Sequence, residues 1–121
     1  MSRVAPLQAP YPDAVQQDFE RIMGPGRPIM ALLDLLGRRW TLRIVWELRD
    51  GALTSRALRA ACGDASPTVM QQRLSELRDA GFIEKRDEGG YALTVLGREL
   101  SQTVLPLHLF ADRWNRKTRG P

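Results

Sequence analysis

Ser66-Pro67 opens a segment in which Met70, Leu74 and Leu77 recur at i, i+4 and i+7 before Gly81. Serine accepts hydrogen bonds from the free N–H groups of a helix start, and proline's fixed φ suits the first helical position. The spacing predicts a helix from Pro67 to about Ala80 with one narrow apolar face, which other elements must cover. Upstream, Thr54 can cap a short helix from Ser55 to about Ala61, with Leu53, Ala57 and Leu58 inward and Cys62-Gly63-Asp64-Ala65 as a tight connector. Downstream, Phe82 to Arg86 alternates apolar and charged residues as an edge strand does, Asp87-Glu88-Gly89-Gly90 is turn material, and Tyr91-Ala92-Leu93 returns as a second strand.

A short helix, a tight turn, a capped helix and a hairpin are the order of a winged helix-turn-helix. The expected fold is mainly α with a small β-hairpin wing. Around it, residues 1–12 read as a flexible arm with Pro at 6, 10 and 12. A helix follows from Pro12-Asp13 to Met23, and two more occupy 29–49 with a break near Gly37. Thr94 caps a final helix to about Trp114, which Pro106 should kink or split. The basic residues from Asn115 to Pro121 read as a frayed tail. The expected organisation is thus an arm (1–12), a winged domain with terminal helices (13–114, core 29–94) and a basic tail (115–121).

With Met70, Leu74 and Leu77 inward, a turn of about 100° per residue places Thr68, Gln72, Ser75 and Asp79 outward, with Val69, Gln71, Arg73 and Glu76 on the flanks. In helix-turn-helix proteins the N-terminal residues of the second helix meet base edges in the major groove. Gln pairs bidentately with adenine, Arg with guanine, and Thr offers a hydroxyl and a methyl. Ser66 and Thr68 lie at the helix's positive dipole end, where phosphate is favoured. Arg39, Arg56, Lys85 and Arg86 are placed to grip the DNA backbone, beside Arg38 and Arg43, which flank Trp40. The net charge of +4, with every basic residue but Lys85 and Lys117 an arginine, suits a polyanionic partner.

Three segments resemble one family. Leu32-Leu33-Asp34-Leu35-Leu36-Gly37-Arg38-Arg39-Trp40-Thr41-Leu42 is similar to the opening motif of HxlR-type regulators, with Arg38-Arg39-Trp40 where the family has Gly-Lys-Trp. Ser66 to Leu77 resembles their recognition helix, and Leu93-Thr94-Val95-Leu96-Gly97-Arg98-Glu99-Leu100 the segment after their wing. The resemblance implies a homodimeric bacterial regulator of MarR-like winged fold whose N- and C-terminal helices form the dimer. Val15, Phe19, Ile22, Leu100, Val104, Leu107, Phe110 and Trp114 are the expected interface. It also implies a small apolar or aromatic effector, which Trp40, Trp46, Phe110 and Trp114 would suit. The cysteine that many members carry just before the first core helix is replaced by Pro28-Ile29-Met30. The wing tip, with Asp87 and Glu88, is more acidic than usual and would repel phosphate.

Other classes fare worse. Cys62 and His108 are the sole residues of their kinds, so no intramolecular disulfide or cysteine metal cluster forms. The sequence holds no glycine-rich phosphate loop, metal-ligand cluster or triad, and predicts neither an enzyme nor a cofactor. No apolar run approaches the ~20 residues of a membrane span, and Met1 to Pro12 has no signal-like apolar stretch, so the cytoplasm is the expected location. The alternative function is a winged-helix protein-interaction module without sequence-specific DNA binding, favoured by Glu76, Asp79, Asp87 and Glu88 on the same face.

Overall fold

The computed structural model describes residues 19–119. The chain divides after Arg38 into two units. In the first, α1 (Phe19–Met23) and α2 (Pro28–Leu36) are joined by a turn in which the Arg27 amide donates to the Gly24 carbonyl at 3.2 Å. Pro28 starts α2, and the Gly37 amide closes it on the Leu33 carbonyl at 2.9 Å. α2 has no buried residue, and Met30 and Leu33 are exposed.

The second unit contains α3 (Thr41–Glu47), α4 (Ser55–Ala61), α5 (Pro67–Asp79), β1 (Ile83–Lys85), β2 (Tyr91–Leu93), α6 (Val95–Val104) and α7 (Leu107–Arg119). Its core draws Ile44, Val45 and Leu48 from α3 and the residue after it, Leu58 from α4, and Met70, Leu74 and Leu77 from α5. Each such side chain contributes about 1.5–3 kcal/mol when fully buried. β1 and β2 pair antiparallel with Ile83 opposite Leu93 and Lys85 opposite Tyr91. Leu53 and Tyr91 exchange backbone hydrogen bonds at 3.0 and 2.8 Å, tying the hairpin to the segment before α4. This second neighbour explains why Tyr91, Ala92 and Leu93 are all buried, whereas only Ile83 is buried on β1.

Thr94 joins wing and α6. Its hydroxyl donates to the Gly81 carbonyl at 2.6 Å and accepts from the Gly97 amide at 3.0 Å, while its own amide donates to the Phe82 carbonyl at 3.0 Å. A Cβ on Gly97 would collide with that Phe82 carbonyl. Glycine therefore stands here because two backbones touch.

Of the two outcomes expected at Pro106, the helix splits, with one helix, α6, ending at Val104 and the next, α7, starting at Leu107. α7 then continues to Arg119, so residues 115–119 are helical rather than frayed. Arg116, Lys117 and Arg119 sit in its last turn, where cations favour the negative dipole end. Leu100, expected at the dimer interface, is 7% exposed and contributes to the core of its own unit. Among the described residues no helix is long and apolar enough to cross a membrane.

Candidate nucleic-acid interface

Both helices of the helix-turn-helix begin on designed caps. Thr54 Oγ1 accepts from the Ala57 amide and Ser66 Oγ from the Val69 amide, each at 3.1 Å. Between them Gly63 and Asp64 take positive φ of 73° and 61°, which turns the chain within four residues. Arg59 Nε donates to the Ala65 carbonyl at 2.9 Å and holds that turn closed.

The helix-period reading of α5 fits what is observed. Met70, Leu74 and Leu77 are buried, while Thr68, Gln71, Gln72, Ser75 and Asp79 are exposed and Val69 is half-buried. Gln71 Nε2 donates to Ser55 Oγ at 3.1 Å, so the face of α5 runs onto the start of α4, beside the exposed Arg56. Arg39, Ser66, Val69 and Arg73 line one cleft of about 450 Å³ at the head of α5. Lys85 and Arg86 are exposed on the hairpin, with Arg86 Nε 3.6 Å from Glu84 Oε2. Asp87 and Glu88 are exposed at its tip.

Arg73 departs from its expected place. Its side chain is 14% exposed, with Nη1 on both Glu76 carboxylate oxygens at 3.0 and 3.1 Å. Its Nε donates to the Arg39 carbonyl at 2.9 Å. Arg43 is likewise occupied, donating from Nε to Glu47 at 2.7 Å and from Nη2 to the Ala61 carbonyl at 2.6 Å. Arg39 remains exposed, its guanidinium 4.7 Å from the centroid of the Trp40 ring.

The turn that Arg73 reaches is an uncomfortable one. Trp40 has φ 77°, a left-handed conformation that costs a bulky residue about 1–3 kcal/mol. The next residue, Thr41, is fully buried, and its Oγ1 is the one buried side-chain polar atom without a partner among the described residues. Nothing in the residue pattern announces this turn or the arginine that closes on it, because both depend on contacts distant in sequence.

The surface expected to bind a second copy is uneven. On α7, Leu107, Leu109, Phe110 and Trp114 are each more than half exposed, and no residue of the helix is buried. Val104 on α6 and Ile22 on α1 are half-buried. Val15 and the side chain of Phe19 lie outside the described residues. Near the α6–α7 break, Leu42, Val104, Leu105, Leu107, His108 and Ala111 line an apolar groove of about 240 Å³, and Trp46, Leu105 and His108 line another of about 340 Å³. Cys62 is 2% exposed, and burial holds its thiol above the usual value, only partly offset by Arg43.

A model of the HxlR-like helix-turn-helix family matches residues 35–119, which include α3 to α7 and the hairpin. The chain belongs to that family. The HxlR-type chain is 30% identical over 89 residues to YvaP of Bacillus subtilis, an uncharacterized HTH-type transcriptional regulator, covering 68% of this chain and 82% of that one. Its fold is similar to a possible HxlR family transcriptional factor from Thermoplasma volcanium, with a TM-score of 0.64 and 28% identity over 74% of this chain and 85% of that one. It is also similar to the quinone-bound YodB of B. subtilis, with a TM-score of 0.66 and 26% identity over 70% of this chain and 96% of that one. The winged helix-turn-helix read from the residue order is thus the observed fold, and the protein is a transcriptional regulator of the HxlR/MarR type.

Proposed function

We propose that this HxlR-type regulator is a homodimeric repressor that binds a specific DNA sequence and is released by a small apolar or aromatic molecule. The observation that carries the reading is the polar, exposed front of α5, set on a Ser-Pro cap and backed by a fully buried stripe. Thr68, Gln71 and Gln72 meet base edges, with Gln72 pairing adenine and Val69 against a thymine methyl. Ser66, Arg39 and Arg56 hold phosphates at the head of the helix, and Lys85 and Arg86 hold them from the wing root, while the acidic tip stays off the backbone.

Two copies join through α7, with Leu107, Phe110 and Trp114 as anchors and Val104 at the margin. Ile22 on α1 keeps the supporting role that its family position gives it. The effector enters the apolar grooves beside Trp46 and Leu105. That a structure of the similar YodB is quinone-bound supports an aromatic ligand class. Such a regulator works in the cytoplasm.

A second reading, docking on protein without DNA specificity, is favoured by the exposed Asp79, Asp87 and Glu88. Fluorescence anisotropy against the upstream intergenic DNA and a scrambled control, across a salt series, separates the two. The repressor reading predicts tight binding to the native DNA, far above the control, that weakens steeply with salt. Equal weak binding to both, with a salt slope near zero, supports protein docking instead.

A further inference from the structure

We propose that Arg73 is a positioning residue: it clamps the left-handed turn at Trp40 to the recognition helix and touches no base or phosphate. The proposal rests on the DNA-binding reading above and concerns how α5 is held in place.

Arg73 sits on the second turn of α5, where sequence alone would send a guanidinium toward guanine. Its three side-chain hydrogen bonds all go to protein. Nη1 is spent on the Glu76 carboxylate one turn along the same helix, which holds the side chain in one rotamer and aims Nε at the Arg39 carbonyl at 2.9 Å. That bond spans 34 residues and links α5 directly to the turn that starts α3. Two of the three guanidinium nitrogens, Nε and Nη1, are engaged by protein and 14% of the side chain is exposed, so the Nε–Nη1 side of the fork is not presented for bidentate pairing.

The far end of the clamp is the turn most in need of one. Trp40 holds φ 77°, and its carbonyl accepts the Ile44 amide at 2.9 Å, the first hydrogen bond of α3. Arg39, whose carbonyl is gripped, carries the guanidinium stacked on the Trp40 ring. Releasing the clamp therefore loosens the entry to α3 and adds an ordering cost to every binding event, while each contact to DNA is still made once α5 is docked. Arg43 and Arg59 play parallel parts by donating to the Ala61 and Ala65 carbonyls. Three arginines of this basic chain thus brace the helix-turn-helix through backbone carbonyls, and the residues that meet DNA are others.

The test compares wild type with Arg73→Ala, Arg73→Gln and Arg73→Lys on two readouts. One is the hydrogen-exchange rate of the Ile44 amide, which needs no DNA. The clamp predicts exchange roughly tenfold faster in Arg73→Ala and Arg73→Gln, the size of losing one charge-assisted hydrogen bond. Arg73→Lys, which keeps a cationic donor, recovers much of the protection. An unchanged Ile44 rate in a folded variant overturns the proposal.

The other readout is anisotropy on the upstream DNA and on single-base variants of it. Arg73→Ala should weaken every sequence alike, about tenfold, with base preferences and salt slope kept. Loss of preference at one base pair, or a slope smaller by about 0.9, would mean that Arg73 contacts DNA and would also overturn it. If wild type fails to discriminate native from scrambled DNA, the repressor reading falls while the Ile44 exchange still decides the clamp.

Discussion

α5 and α7 are both 13 residues long and both amphipathic, yet the chain treats them oppositely. α5 hides its whole apolar stripe: Met70, Leu74 and Leu77 are at most 1% exposed. α7 hides nothing: Phe110 and Trp114 are each 52% exposed on one stripe with Leu107. A helix whose apolar face is satisfied at home has only its polar face to offer a partner. A helix whose apolar face is left open needs another apolar surface, and a symmetric regulator supplies one by pairing with itself. On this account the polar front of α5 and the apolar front of α7 are complementary parts of one device, the first for reading and the second for doubling the reader.

Core truncation should draw the contrast most sharply. Leu74→Ala is expected to cost about 2–5 kcal/mol in denaturant unfolding, and Leu107→Ala much less at protein concentrations where the chain is monomeric. Similar losses at the two positions would break the comparison. Placing charge on the open face comes next. Phe110→Asp with Trp114→Asp should convert dimers to monomers in sedimentation, with anchors of this kind worth about 2 kcal/mol or more each, and leave the α5 core folded. A dimer that survives both changes would move the interface off α7. The smallest effect concerns the cap that starts the reading helix. Ser66→Ala should lower stability by about 1 kcal/mol, read as a modest drop in Tm, because the Val69 amide loses its acceptor. No loss would mean that Pro67 and the tertiary contacts alone hold the helix start.

How legible this was depends on whether the cause was local. Thr54 and Ser66 announced α4 and α5 because a cap acts within three residues, and both hydroxyls accept the expected amides. The hairpin was readable from Asp87-Glu88-Gly89-Gly90, although the second pairing partner of Tyr91 was not. For Leu100 the amphipathic stripe shows that a face is covered and not by what, and much of the cover comes from its own core. The basic end of α7 looked like a tail, since charge alone does not distinguish a solvated strand of chain from a favourable helix C-terminus. Residue type and position point Arg73 at DNA, and neither shows its hydrogen bond to Arg39, 34 residues away, a separation that no periodicity encodes. For the candidate site, the exposed face of α5 follows from helical geometry, whereas which arginines donate to backbone carbonyls is set by three-dimensional contacts.

The most direct test of the whole account is to select binding sequences from a randomised DNA pool with the full-length protein. The account predicts enrichment of two inverted copies of one short motif, centred about 34–36 Å apart or a multiple of that, with Gln72→Ala losing the preference at one position in each copy. An unenriched pool, or a single unpaired motif indifferent to Gln72→Ala, would contradict it.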